Sequence, residues 1–354
     1  MSEVGVKTEL GANAEVGEMR AVLTTAHGGP EVLELKNDYP RPEPSVGEVR
    51  VEVAATAVNF HDIFTRRGMP GIKIKLPVVV GSDIAGTVEA LGPGVAQRWL
   101  GKRVLIDPVR RDADRVGMLG ETIDGGRAEF CTAHESMLVE IPPAVSFEKA
   151  AALPLAYGTA YRMLLTRGGL KAGERIMILG ASGGVGVACV QLAHMVGAEI
   201  LAFASHPSKL ARLKELGSTH AANYHDRPFR EIVRDIYGKP RTNGSGGVDV
   251  AVNFTGGDTL PDTQKCVRLN GRILCCGATA GFNLSLDARY WWTYEHTMIG
   301  SDGWLKEDLV TLLDLVAEGR LSPEIDRVLP LEQAALGEGL LERREVIGKV
   351  LIRP

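Results

Sequence analysis

Apolar residues change their rhythm along this chain, and the changes divide it. Between Met19 and about residue 150 they come in short, β-branched runs broken by Gly and Pro: GEVRVEVAATAVN, PVVVGSDIAGTVEALG, GKRVLID and AEFCTAHESMLVEIP. Runs of this kind bounded by turn residues predict strands in a barrel-like, all-β unit. AVSFEKAAALPLAYGTAYRMLLT then carries apolar residues at helical spacing and is closed by Gly168-Gly169, which predicts a helix. From Glu174 onward apolar strands alternate with helical segments: RIMILG, VACVQLAHMVG, EILAFAS and PSKLARLKELG, with further strands at HAANY, VDVAVNF and GRILCCG. Such alternation predicts right-handed crossovers and a doubly wound α/β unit, its parallel sheet covered on both faces. LKEDLVTLLDLVAEG reads as a last long helix before the closing RVLPLEQAALGEGLLERREVIGKVLIRP, and NGSGG at 243–247 reads as a loop.

The junction between RIMILG and the following helix carries the clearest chemistry. Gly180-Ala-Ser-Gly183-Gly184-Val185-Gly186 is a glycine turn between a buried strand and a helix. Glycines there let a pyrophosphate approach backbone N–H groups at the positive end of the helix, and let that helix pack closely on the sheet. The end of the next strand discriminates between the two nicotinamide dinucleotides, because a carboxylate there binds ribose hydroxyls and repels a 2′-phosphate. This chain has Ala204-Ser205-His206-Pro207-Ser208-Lys209, with no carboxylate. Ser205 can hydrogen-bond and Lys209 supplies charge, so NADP(H) is the expected cofactor.

Composition adds mainly exclusions. The 354 residues are 45% hydrophobic and 24% charged with a net charge of -4, so no strong field points to nucleic acid or a membrane surface. The five cysteines, Cys131, Cys189, Cys266, Cys275 and Cys276, lack metal-ligand spacing and are expected to be free thiols in a reducing compartment. Residues 1–18 are polar and without an apolar stretch, which predicts a flexible tail rather than a secretory signal or anchor. No window is long enough in apolar residues to span a bilayer, and a cytoplasmic protein is expected.

The motifs NFHDIFTRRG, LPVVVGSDIAGTVEALGPGV, AAALPLAYGTAYRML, ASGGVG, GRILCCGATAG and GKVLIRP occur in that order. Together they resemble the medium-chain dehydrogenase/reductase superfamily, specifically its quinone oxidoreductase-like branch, over Met19 to Pro354. The resemblance implies a GroES-like catalytic domain made from residues 19–150 and 297–354, with a Rossmann NADP-binding domain at 151–296 between them. It also implies an active site in the intervening cleft, and a homodimer or dimer of dimers. Carried over by position, Thr159 corresponds to a threonine beside the nicotinamide, and Gly183, Gly184 and Val185 to the pyrophosphate turn. Ser205, Lys209 and Tyr224 correspond to the group around the 2′-phosphate. Gly277 and Ala278 correspond to the chain passing the nicotinamide ring, and Lys349 to a residue near the cofactor.

The same resemblance marks where zinc is expected to be missing. Zinc alcohol dehydrogenases take a Cys from G-[VI]-C-H-[ST]-D and a His from G-H-E. The matching stretches here are Val58-Asn59-Phe60-His61-Asp62 and Gly81-Ser82-Asp83, so both ligands are replaced by neutral groups that bind zinc poorly. EKAAALPLAYGTAYR holds no cysteine, and VRRDADRVGMLGE lacks the cysteines of a structural zinc lobe. His61 could pair with Asp83, but a surface or supporting role is expected of it.

Without a Lewis acid an unactivated alcohol is hard to deprotonate, whereas a conjugated carbonyl accepts hydride and spreads the charge onto oxygen. The expected activity is hydride transfer from NADPH to a quinone or an α,β-unsaturated carbonyl compound. Asn59 is the candidate to orient the nicotinamide ribose or donate to substrate oxygen, and Asp62 is read as a structural partner. Phe64 stands where several enone reductases of this family have a Tyr, so Tyr157 and Thr159 become the candidate proton donors. Phe60, Phe64, Trp291 and Trp292 are candidate pocket walls, although Tyr290-Trp-Trp-Thr-Tyr fits core and dimer interface equally well. Two alternatives stand beside this reading: an NADP-dependent alcohol or carbonyl dehydrogenase with a divergent site, and a non-catalytic NADPH-binding protein of crystallin type.

Overall fold

In the computed structural model, which describes residues 17–69, 71–111, 117–283 and 285–354, the β-branched runs of the first third form a seven-stranded, mostly antiparallel sheet. Glu48–Ala57 is its central strand, with Val49, Val51, Val53 and Ala55 turned inward at alternate positions. Asp83–Leu91 pairs along one side of it. Phe130–His134 and the C-terminal Lys349–Arg353 share the other side. The chain ends therefore meet in one unit, and Val58 donates its N–H to the carbonyl of Val350 at 2.9 Å. A smaller sheet sets Glu18–Thr24 between Leu33–Pro40 and Val78–Val79. Of the tail expected at 1–18, residues 1–16 lie outside the described residues, whereas Glu18 opens a strand.

The first third is not all β. Phe60–Arg67 is a helix. Its start is encoded locally: Asn59 is extended at the N-cap position, and the Asp62 carboxylate accepts the Asn59 backbone N–H at 2.8 Å. Arg66 and Arg67 occupy the last turn, where cations suit the helix dipole, and Gly68 stops it at φ 86°.

The second unit is a six-stranded parallel sheet ordered His220–Asn223, Glu199–Ala204, Arg175–Ile178, Val248–Val252, Val267–Cys275, Thr297–Gly300. That is the Rossmann order, and its reversal point lies beside Arg175–Ile178. Thr297–Gly300 pairs in parallel with Val267–Cys275, so the return to the first sheet comes later than the expected residue 297, at Ile325–Pro330. Residues 147–167 bridge the units as helical turns, two of them π-wound. One apolar cluster includes Ala55 and Leu105 from the first sheet, Leu153 and Ala160 from the bridge, and Ile176 and Val190 from the second unit. All five cysteines are free. Among the described residues no helix is long and apolar enough to cross a membrane.

Candidate functional site

The glycine turn leaves Arg175–Ile178 and enters the helix Gly184–Val196 at the point where strand order reverses. A Cβ on Gly186 would lie 2.3 Å from the carbonyl of Gly180, so only glycine lets the helix sit this close to its strand. No side chain caps that helix. The returning C-terminal segment lies against the turn: Gly348 donates its N–H to the Ser182 carbonyl at 3.0 Å, and a Cβ on Gly184 would stand 3.1 Å from Cδ of Lys349.

Ser205 and Tyr224 follow neighbouring parallel strands, with the Tyr224 N–H donating to the Ala204 carbonyl at 3.3 Å. Lys209, read from the sequence as a source of charge, packs against the C-terminal segment. It is buried, its ammonium donates to the carbonyl of Arg344, and burial pulls its pKa below the usual lysine range. Gly277 and Ala278 lie past the end of Val267–Cys275. Ala278, Thr279 and Phe282 form one wall of a cleft of about 280 Å³ whose other wall includes Phe64, Arg67 and Met69.

Opposite the glycine turn lies a buried polar constellation. Asn59 donates from Nδ2 to Oδ2 of Asp83 at 2.9 Å. Its Oδ1 accepts from the Lys349 ammonium, which also donates to the Val58 carbonyl and to Asp83 Oδ2, each at 3.2 Å. The other Asp83 oxygen accepts the Leu155 backbone N–H at 3.0 Å. Asn59, Asp83 and Lys349 are all buried, and the adjacent Ser82 hydroxyl is buried with no partner among the described residues. The second Nδ2 proton of Asn59 likewise has no acceptor among them.

His61 contacts Glu121 rather than Asp83: Nε2 lies 3.0 Å from Oε2, with the side chains 20% and 11% exposed. Burial alone would lower the His61 pKa, but Glu121, Asp62 and Asp83 outweigh it and hold the ring above its ordinary value. Asp62 is structural, as expected. Its Oδ2 accepts from Arg127 at 2.6 Å, and Arg127 and Arg66 both bind Glu338 in a fully buried ion network.

Other expectations need correction. Tyr157 is fully buried, its hydroxyl donating to Gln191 at 2.7 Å and accepting the Glu324 N–H at 2.9 Å. Burial raises its pKa, so it holds the helical bridge together and has no proton to offer the cleft. Trp291 and Trp292, 45% and 65% exposed on the helix Ala288–Thr293, line no described cavity. That helix precedes the edge strand Thr297–Gly300, so its aromatic face looks outward. Phe60 is exposed with its ring 6.3 Å from Phe64, and only Phe64 reaches the cleft wall. Thr159 is buried within the bridge. The sequence reaches Asp83 only as a possible partner of His61 and does not reach Glu121, because nothing local distinguishes either from other acidic residues near strand ends.

Family models match in two blocks: an alcohol dehydrogenase GroES-like domain over residues 45–143 and a zinc-binding dehydrogenase over 184–318. The synaptic vesicle membrane protein VAT-1 homolog of Homo sapiens is 30% identical over 95% of this chain and 86% of its own length. The quinone oxidoreductase of Homo sapiens is 28% identical over 94% and 97%. A solved structure described as an NAD-dependent alcohol dehydrogenase superposes with a TM-score of 0.87 at 37% identity, covering 95% of this chain and all of the other. A GroES-like unit closed against a Rossmann sheet defines the alcohol dehydrogenase-like architecture. Within it, this chain belongs to the medium-chain dehydrogenase/reductase superfamily, in its quinone oxidoreductase-like branch.

Proposed function

We propose that the protein is an NADPH-dependent reductase that passes hydride to a quinone or an α,β-unsaturated carbonyl compound, without catalytic zinc. One observation carries the reading: at the position of the family's zinc ligands, the Lys349 ammonium is held by Asn59, Asp83 and the Val58 carbonyl. Zinc requires thiolate, neutral imidazole or carboxylate about an open tetrahedral position. Here Asn59 contributes a neutral amide, Ser82 a hydroxyl and Lys349 a resident cation, so the residues do not fit the metal. Among the described residues no group of three or more His, Cys, Asp or Glu is arranged to hold one.

A nicotinamide dinucleotide does fit. Gly183, Gly184, Val185 and Gly186 at the helix N-terminus would hold the pyrophosphate. Ser205 and Tyr224 would face the adenosine ribose, where the lack of a carboxylate leaves room for a 2′-phosphate, and Lys209 adds positive charge nearby. Thr159, Gly277 and Ala278 would flank the nicotinamide, which when reduced supplies the hydride. The chain's own contribution is to align the acceptor, exclude water and stabilise developing charge on oxygen. Asn59 is held at both ends of its amide and keeps one N–H for the ribose or the substrate oxygen. Phe64 supplies apolar wall.

The 37% identity to a structure described as an NAD-dependent alcohol dehydrogenase favours a second reading, alcohol or carbonyl redox with NADH. A screen of quinones, enones and enoyl thioesters with NADPH and NADH, alongside alcohols with the oxidised cofactors, separates the two. NADPH oxidation confined to conjugated acceptors supports the first reading; alcohol oxidation with NAD overturns it. Cofactor binding with no turnover of any compound points to the crystallin-type alternative.

A further inference from the structure

The buried Tyr157 has no proton to offer the cleft, and the structure contains another pair suited to that task. His61 and Phe64 are three residues apart on the helix Phe60–Arg67, so they share a face, and Phe64 forms part of the cleft wall. His61 holds Glu121 through Nε2 at 3.0 Å. Nε2 is buried and its 3.0 Å approach to Glu121 is a charge contact outside hydrogen-bond geometry, whereas Nδ1 has no partner among the described residues and is not one of the buried unpartnered atoms. With the side chain 20% exposed, Nδ1 is the nitrogen open to solvent, one helical turn from the cleft wall at Phe64. Glu121 itself is buried to 9% exposure on the turn that packs against Gly81, so it is fixed in place to orient the ring.

Resting on the function proposed above, we infer that His61 is the catalytic acid of the reaction and that Glu121 is its positioning partner. A bound reduced nicotinamide would supply hydride to the acceptor's β-carbon, whose π pair would move through the carbonyl carbon onto oxygen. The Nδ1–H bond then breaks: the proton joins that oxygen and the electron pair stays on the ring. The enol ketonises, or a quinone leaves as hydroquinone, and the imidazole takes a proton back from water. The acceptor is reduced, the nicotinamide is oxidised, and one proton is consumed.

The charged groups facing His61 favour its protonated form. Glu121 approaches from the turn, Asp62 from its own helix and Asp83 from the strand Asp83–Leu91, with Asp62 tied to Arg127 and Asp83 to Lys349. These groups raise the pKa in the folded protein. The pair therefore stabilises the fold fully below the unfolded value of 6.5, and loses that contribution as pH rises through the folded value. Turnover should fall over the same upper range as the acid loses its proton.

The test joins kinetics to a readout that does not depend on turnover. His61→Gln should lower kcat about a hundredfold near neutral pH, abolish the alkaline limb of the pH profile, and leave the Kd for NADPH unchanged. Glu121→Gln should move that limb to lower pH. In NMR titrations of the substrate-free protein, the His61 ring should titrate above 6.5 and shift down in Glu121→Gln. An active protein whose His61→Gln variant keeps its kcat and its alkaline limb would overturn the inference. So would a His61 that titrates at or below its ordinary value and ignores Glu121→Gln. A wild-type protein that reduces no conjugated acceptor instead overturns the functional reading, and with it the acid's role, whatever the titration shows.

Discussion

The two halves of the candidate site are built by opposite means. The glycine-turn half is one contiguous stretch, Gly180 to Gly186, and its shape follows from glycines acting on their immediate neighbours. The opposite half is assembled from Asn59, Asp83 and Lys349, which come from separate segments: Asp83 is brought to Asn59 by the pairing of Asp83–Leu91 with Glu48–Ala57, and Lys349 joins them because Lys349–Arg353 lies alongside the same strand. The first is stabilised by backbone fit and the second by charge pairing in a dry interior. They should therefore fail differently when changed.

The largest effect is expected on the assembled side. Lys349→Met leaves the buried Asp83 carboxylate without its cation, and breaking such a pair costs about 3–5 kcal/mol. Denaturant unfolding should show that loss, and Lys349→Met/Asp83→Asn should recover much of it. A loss below about 1 kcal/mol would mean that the constellation is not the structural and electrostatic centre argued here. Next comes the bridge between the two sides. Tyr157→Phe strands the Glu324 N–H and the Gln191 carbonyl oxygen, for about 1–3 kcal/mol of stability. It should spare kcat in stability-matched conditions, and a kcat lowered with no change in stability would restore Tyr157 as a proton donor.

On the contiguous side, Ser205→Asp should change selectivity more than stability. A carboxylate there repels the 2′-phosphate, and the ratio of kcat/KM for NADPH over NADH should fall at least about tenfold, or about 1.4 kcal/mol. An unchanged ratio would detach cofactor choice from the end of Glu199–Ala204. The smallest effect belongs to Trp292→Ala, on a helix outside both walls. Stability should move by no more than about 0.5 kcal/mol with unchanged KM for the acceptor, and a raised KM would return Trp292 to the pocket.

The same contrast explains what could be read from the sequence. The strand–turn–helix of the glycine motif and the alternating strands that follow are local patterns, and they appear where periodicity places them. The helix Phe60–Arg67 was hidden among β-branched runs, although Asn59, Asp62 and Gly68 are ordinary start and stop signals. Replacement of zinc ligands at Asn59 and Ser82 was legible by resemblance. Insertion of Lys349 between Asn59 and Asp83 was not, because it depends on the register of two strands nearly three hundred residues apart. The same holds for the His61–Glu121 contact, which depends on a turn folding back against Gly81. Lys209 is a further case: its position in the sequence marks it as a source of charge, and only the packing shows its ammonium buried on the Arg344 carbonyl.

The most direct test of the account is NADPH oxidation by chelator-treated, metal-free protein with a quinone as acceptor. The rate should equal that of untreated protein and exceed the rate with NADH at least about tenfold. Activity that disappears with the chelator and returns with stoichiometric zinc would contradict it.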